Sequence, residues 1–74
     1  MSEKKMMAVI EAVLFAMGES VELSKLNHVL EMPMEQIREL IAKMNENYKK
    51  EDRGIHIVEL EEAVQLCTKP GLYE

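Results

Sequence analysis

The chain has no tryptophan, one phenylalanine, one cysteine, three glycines and two prolines in 74 residues. Cys67 has no partner for an internal disulfide, which fits a reducing, cytosolic setting. Gly18, Gly54 and Gly71 stand too far apart to build a phosphate-cradling loop. With so few aromatics the core must be aliphatic, and seven methionines supply adaptable packing. Positive charge is also scarce. Nine Lys and Arg stand against fourteen Asp and Glu, for a net charge of −5, the wrong sign for a domain that binds phosphates over its whole surface. No apolar run is long enough to span a bilayer. The stretch after Lys4 and Lys5 superficially resembles a signal peptide, but Glu11 interrupts it and no small-residue cleavage site follows.

What is present is ordinary for a small folded domain: 47% of residues are hydrophobic, and the length suits a single core near the lower limit for independent folding. Residues 3–17 read as a first helix, ended by Gly18. Met6, Met7, Val9, Ile10, Val13, Leu14 and Met17 form one broad apolar arc at 100° per residue. The opposite side holds Ala8, Ala12, Phe15 and Ala16, with Glu11 at its margin. A helix apolar nearly all round is covered on more than one side. Two readings of Phe15 follow: it tucks under a hairpin or loop, or the Ala8, Ala12 and Phe15 face meets another protein chain.

"GESVEL" reads as a turn into a second, shorter helix over about 23–31, with Leu23, Leu26, Val29 and Leu30 as its buried stripe and Glu22 or Ser24 as its cap. Pro33 separates it from a third helix over 34–50. There Met34, Ile37, Leu40, Ile41, Met44 and Tyr48 make a single stripe. "KEDRG" breaks that helix, with Gly54 as the stop signal. "GIHIVELEEAVQLCTKP" then reads as two strands joined by a turn at Glu61, Glu62 and Ala63. Ile55 and Ile57 share one face, while Val58 and Leu60 share the other. That switch predicts either a bulge near Ile57 or burial of both faces. The whole is mostly α with a small β-hairpin (α+β): a winged helix-turn-helix of three helices followed by a two-stranded wing.

In DNA readers of this architecture the third helix enters the major groove and the wing touches the backbone or minor groove. Here the third helix sets Arg38, Lys43, Lys49 and Lys50 against Glu35, Glu39 and Glu46, and the hairpin adds Glu59, Glu61 and Glu62 with no Lys or Arg before Lys69. A DNA-binding transcriptional regulator is the rival reading, and this charge pattern speaks against it. Catalysis has less support. His28 and His56 are isolated on separate elements, Cys67 has no nearby histidine, and adjacent carboxylates on a turn do not converge on a substrate. No catalytic, metal or cofactor site is expected. The remaining class is a protein-interaction module.

Three segments carry a family resemblance: "IEAVLFAMGESVEL" (10–23), "RGIHIVEL" (53–60) and "VQLCTKP" (64–70) resemble the bacterial segregation and condensation protein B (ScpB) family. Ile10, Glu11, Ala12, Leu14, Phe15, Gly18 and Glu19 match its first motif. Arg53, Gly54 and Ile55 match the second, and Gln65, Leu66, Thr68, Lys69 and Pro70 the third. The chain departs from the pattern at Ser20, where Pro is frequent, at Glu31 and Pro33, where a Gly and a capping Ser are common, and at the glycine-free turn. The resemblance implies that residues 1–74 are the N-terminal winged-helix domain of a longer, two-domain, non-enzymatic protein in the cytoplasm, associated with the nucleoid through its complex. It implies homodimerisation through this domain and a role in chromosome segregation with the kleisin ScpA and, through it, the SMC ATPase. Because the main kleisin surface is associated with the C-terminal domain, the resemblance implies weak ScpA binding at most for this chain. The residues expected at the dimer face are Ala8, Glu11, Ala12 and Phe15.

Overall fold

Ser2 starts the first helix: its side chain accepts a hydrogen bond from the Lys5 amide at 3.2 Å, so a donor left without an intrahelical partner is satisfied. The computed structural model describes residues 2–71, so the domain expectation for residues 1–74 extends beyond the described residues at both ends. Helix α1 spans Glu3–Met17 and closes on Gly18 in the left-handed region, φ 67°. Its inward side places Ile10 and Leu14 fully in the core, with Met6, Met7 and Val13 half-buried around them. Helix α2 spans Leu23–Leu30 and α3 spans Met34–Lys50. The third helix buries Ile37, Leu40, Ile41, Met44 and Tyr48, most of its expected stripe, while Met34 at its start remains exposed.

The segment read as a turn before α2 contains a strand. Val21–Glu22 forms β1, paired antiparallel with Ala63 and Val64. With β2 (Ile55–Leu60) and β3 (Ala63–Thr68) it makes a three-stranded sheet in the order β1-β3-β2. The wing hairpin is therefore present with one additional short strand. Glu22 occupies the N-cap position of α2 without a side-chain cap, and Ser24 donates to the Glu22 carboxylate instead. The Leu23 amide at the start of α2 is satisfied by the carbonyl of Glu62 at 2.8 Å, which ties α2 to the wing tip.

No bulge interrupts the hairpin. Pairing runs unbroken from Ile55 with Thr68 to Leu60 with Ala63. Ile57 and Val64 are buried on the core face, with Ile55 and Leu66 beside them. On the other face Val58 is half-buried and Leu60 is exposed. The switch in apolar phase therefore reflects partial cover of the second face rather than an inserted residue. Asn45 of α3 supplies the link that positions β2: its amide donates to the Ile57 carbonyl at 3.0 Å and accepts from the Ile57 amide at 2.8 Å.

Among the described residues, three that are not glycine hold left-handed turns: Glu31, Asp52 and Glu61. Asp52, not Gly54, stops α3. The Arg53 amide reaches the Tyr48 carbonyl at 2.8 Å and the Asp52 amide reaches that of Lys49 at 3.2 Å, the paired bonds of a Schellman motif with Asp in the glycine position. This turn directs the chain from α3 into β2 and sets Arg53 next to Tyr48.

Candidate protein interface

Ala8, Glu11, Ala12 and Phe15 are spaced i, i+3, i+4, i+7 and so fall on one stripe of α1, turned away from Ile10 and Leu14. All four are exposed, Phe15 to 78% of its surface. The chain's own hairpin therefore does not cover the phenyl ring. Instead the stripe forms one wall of an open groove of about 420 Å³, whose other residues are Arg53, Ile55 and Leu66. Ala8 and Ala12 add little bulk to that wall, Ile55 and Leu66 add apolar surface to the groove, and the Phe15 ring is largely exposed beside it. A smaller hollow of about 260 Å³ shares Ala8, Glu11 and Arg53 with this groove and is also lined by Tyr48.

Glu11 is the one charge in the stripe, and the fold fixes it. The buried Tyr48 donates its hydroxyl to Glu11 Oε1, giving the phenol the partner that a buried tyrosine needs. Burial, and after it the hydrogen bond and charge of Glu11, push the Tyr48 hydroxyl well above its usual pKa, while the Arg53 guanidinium pulls in the opposite direction. The groove thus has an anchored carboxylate and a nearby cation beside an apolar centre. The four α1 residues expected at the dimer face share one exposed stripe, and their neighbours Tyr48, Arg53, Ile55 and Leu66 were not legible as such in the sequence. A signal existed for Tyr48: an apolar stripe ending in a tyrosine leaves a hydroxyl in search of an acceptor.

The surfaces that a DNA reader would use are differently occupied. Arg38 pairs with Glu59 at 3.3 Å, joining the third helix to the wing, and Lys43 pairs with Glu3 at 2.7 Å. The hydrogen bond to Glu3 holds the Lys43 ammonium above its ordinary value. Two of the four bases on α3 are therefore neutralised within the domain, and Glu61 and Glu62 are exposed at the wing tip. His28 is exposed, His56 is half-buried, and Cys67 is half-buried with its thiol 3.8 Å from the Gln65 carbonyl. Among the described residues no three His, Cys, Asp or Glu side chains gather as metal ligands, and no helix is long and apolar enough to cross a membrane.

Comparison with known proteins places this geometry in a family. Residues 8–74 match the family model described as segregation and condensation complex subunit ScpB. A segregation and condensation protein B from Lachnoclostridium phytofermentans is 43% identical over 74 residues, all of this chain and 39% of that protein. Another, from Caldanaerobacter subterraneus subsp. tengcongensis, is 46% identical over 59 residues, covering 80% of this chain and 35% of its own length. The chain thus spans well under half of these relatives. Among solved structures, a dimer of a ScpB N-terminal domain complexed with a ScpA peptide matches with a TM-score of 0.81 at 35% identity, covering 90% of this chain and 84% of that one. ScpB from Mycobacterium tuberculosis, at 20% identity and a TM-score of 0.83 over 95% of this chain and 44% of its own, shares the fold. The winged-helix architecture, the three motifs and the match over residues 8–74 agree, and the chain belongs to the ScpB family of segregation and condensation subunits.

Proposed function

We propose that this chain is the N-terminal winged-helix domain of a ScpB protein and works without catalysis, as a homodimerising module that contacts ScpA and, through it, SMC in chromosome segregation. The observation that carries the reading is the exposed Phe15 ring, 78% accessible, beside an apolar groove lined by Ala8, Ala12, Ile55 and Leu66. A lone exposed aromatic beside a groove lined in part by small residues suits a two-fold contact, in which each copy offers both the knob and the hole. The dimeric relative of the same domain supports it. That relative's ScpA peptide also supports contact between ScpA and this domain itself, a larger share than the weak binding implied by the resemblance alone.

Burying one Phe contributes about 1.5–3 kcal/mol per copy by apolar transfer, enough with its neighbours for a modest dimer once association costs are met. Phe15→Ala shifts the domain towards monomer in light scattering at micromolar concentration while its circular dichroism stays unchanged. An unchanged dimer mass in a folded variant removes Phe15 from the interface. Because Phe15 makes so little contact within its own chain, loss of folding is not the expected result.

A further inference from the structure

We propose that Glu11 and Arg53 form reciprocal ion pairs across the dimer, Glu11 of each copy meeting Arg53 of the other, and thereby select a second copy of this chain as the occupant of the groove. The proposal rests on the dimer reading above. Both charged residues line the groove beside Phe15. Among the described residues they are not paired with each other: Glu11 accepts the Tyr48 hydroxyl, and Arg53 reaches Glu51 at 3.4 Å in a contact exposed on both sides.

Each group is held ready by the fold. A carboxylate has two oxygens and about four acceptor positions, so the single bond from Tyr48 orients Glu11 and leaves Oε2 open. Arg53 stands at the end of the Schellman turn, its amide fixed to the Tyr48 carbonyl. Glu11 lies four residues before Phe15, about one helical turn of roughly 5.4 Å. When the ring of a second copy enters the groove, the second copy's Glu11 therefore arrives within one turn of the ring, against walls that include Arg53. Two-fold symmetry repeats the contact. A neutral apolar peptide in the same groove would desolvate Glu11 and Arg53 without giving either a new partner, which disfavours it.

Two charge reversals and their mixture test the pairing. In a homodimer of Glu11→Arg, arginine meets arginine; in one of Arg53→Glu, glutamate meets glutamate. Each variant alone is expected to dimerise about a hundredfold more weakly than the wild-type chain, or less well still. An equimolar mixture restores a dimer containing one chain of each kind, because both contacts then join opposite charges. Pairing within a single chain is unaffected by mixing, so this recovery reports an intermolecular contact. Native mass spectrometry distinguishes the mixed dimer. Circular dichroism checks each fold, and if Glu11→Arg unfolds, salt decides instead: the wild-type dimer weakens as salt rises, while Arg53→Gln flattens that dependence. A dimeric wild type with no mixed dimer from folded variants, or with an unaltered salt slope in Arg53→Gln, overturns the ion pairs alone. A wild type that remains monomeric overturns the dimer reading and the ion pairs together.

Discussion

Tyr48 and Glu11, 37 residues apart in the chain, are joined by a hydrogen bond that connects the buried stripe of α3 to the outward stripe of α1. The bond satisfies a phenol inside the core and fixes a carboxylate at the rim of the groove. One interaction therefore ties the packing of the core to the lining of the groove.

Removing the hydroxyl should separate these two effects. Tyr48→Phe keeps the ring and lowers stability by about 1 kcal/mol, measured as a shift of the urea midpoint without a change in slope. The wild type also carries a pH signature. A phenol raised in the folded state stabilises the fold below its unfolded value of about pH 10, and that contribution declines as pH rises beyond it. Stability of the wild type should fall with this component above pH 10, whereas Tyr48→Phe should lack it.

Asn45 gives a sharper stability test. Its side chain satisfies both backbone groups of Ile57, a buried residue. Asn45→Ala leaves an amide and a carbonyl without partners and should cost about 1–3 kcal/mol. Hydrogen exchange at Ile57 should accelerate. Unchanged protection there would mean that the clamp does not hold β2.

Glu31 should be improvable. It adopts φ 53° and ψ 46° as the C-cap of α2, a conformation that costs an ordinary residue roughly 1–2 kcal/mol. Glycine removes that strain but adds freedom to the unfolded chain, worth about 0.4–1 kcal/mol in the other direction. Glu31→Gly should therefore stabilise the domain by about 0.5–1 kcal/mol, visible as a higher urea midpoint.

The three helices were legible because their apolar residues repeat at helical spacing over eight or more positions, and Gly18 marks the end of the first. The wing was legible from its alternating strands. β1 was not, because two residues carry no period and Val21 acquires its strand character only from Val64 across the sheet. The stop of α3 was not legible, because the sequence points to Gly54 while a left-handed Asp52 is invisible to a rule that looks for glycine. The exposed α1 stripe was readable as surplus apolar surface. Its facing wall was not, since Arg53, Ile55 and Leu66 join it only through the tertiary course of the hairpin.

Duplex DNA should bind weakly. Arg38 and Lys43 are engaged by Glu59 and Glu3, and the wing tip is acidic. Titration of duplex DNA at two salt concentrations should show no tight complex. Strong binding with a steep salt slope would instead mean that α3 and the wing contact phosphates.

Closure of the α1 groove by a second copy underlies both the dimer and its reciprocal ion pairs. Sedimentation equilibrium of the wild-type chain across micromolar concentrations measures this directly. The predicted result is a concentration-dependent rise from the 8.5 kDa chain mass towards twice that value, abolished by Phe15→Ala. A single species of 8.5 kDa at every concentration up to the highest attainable would contradict it.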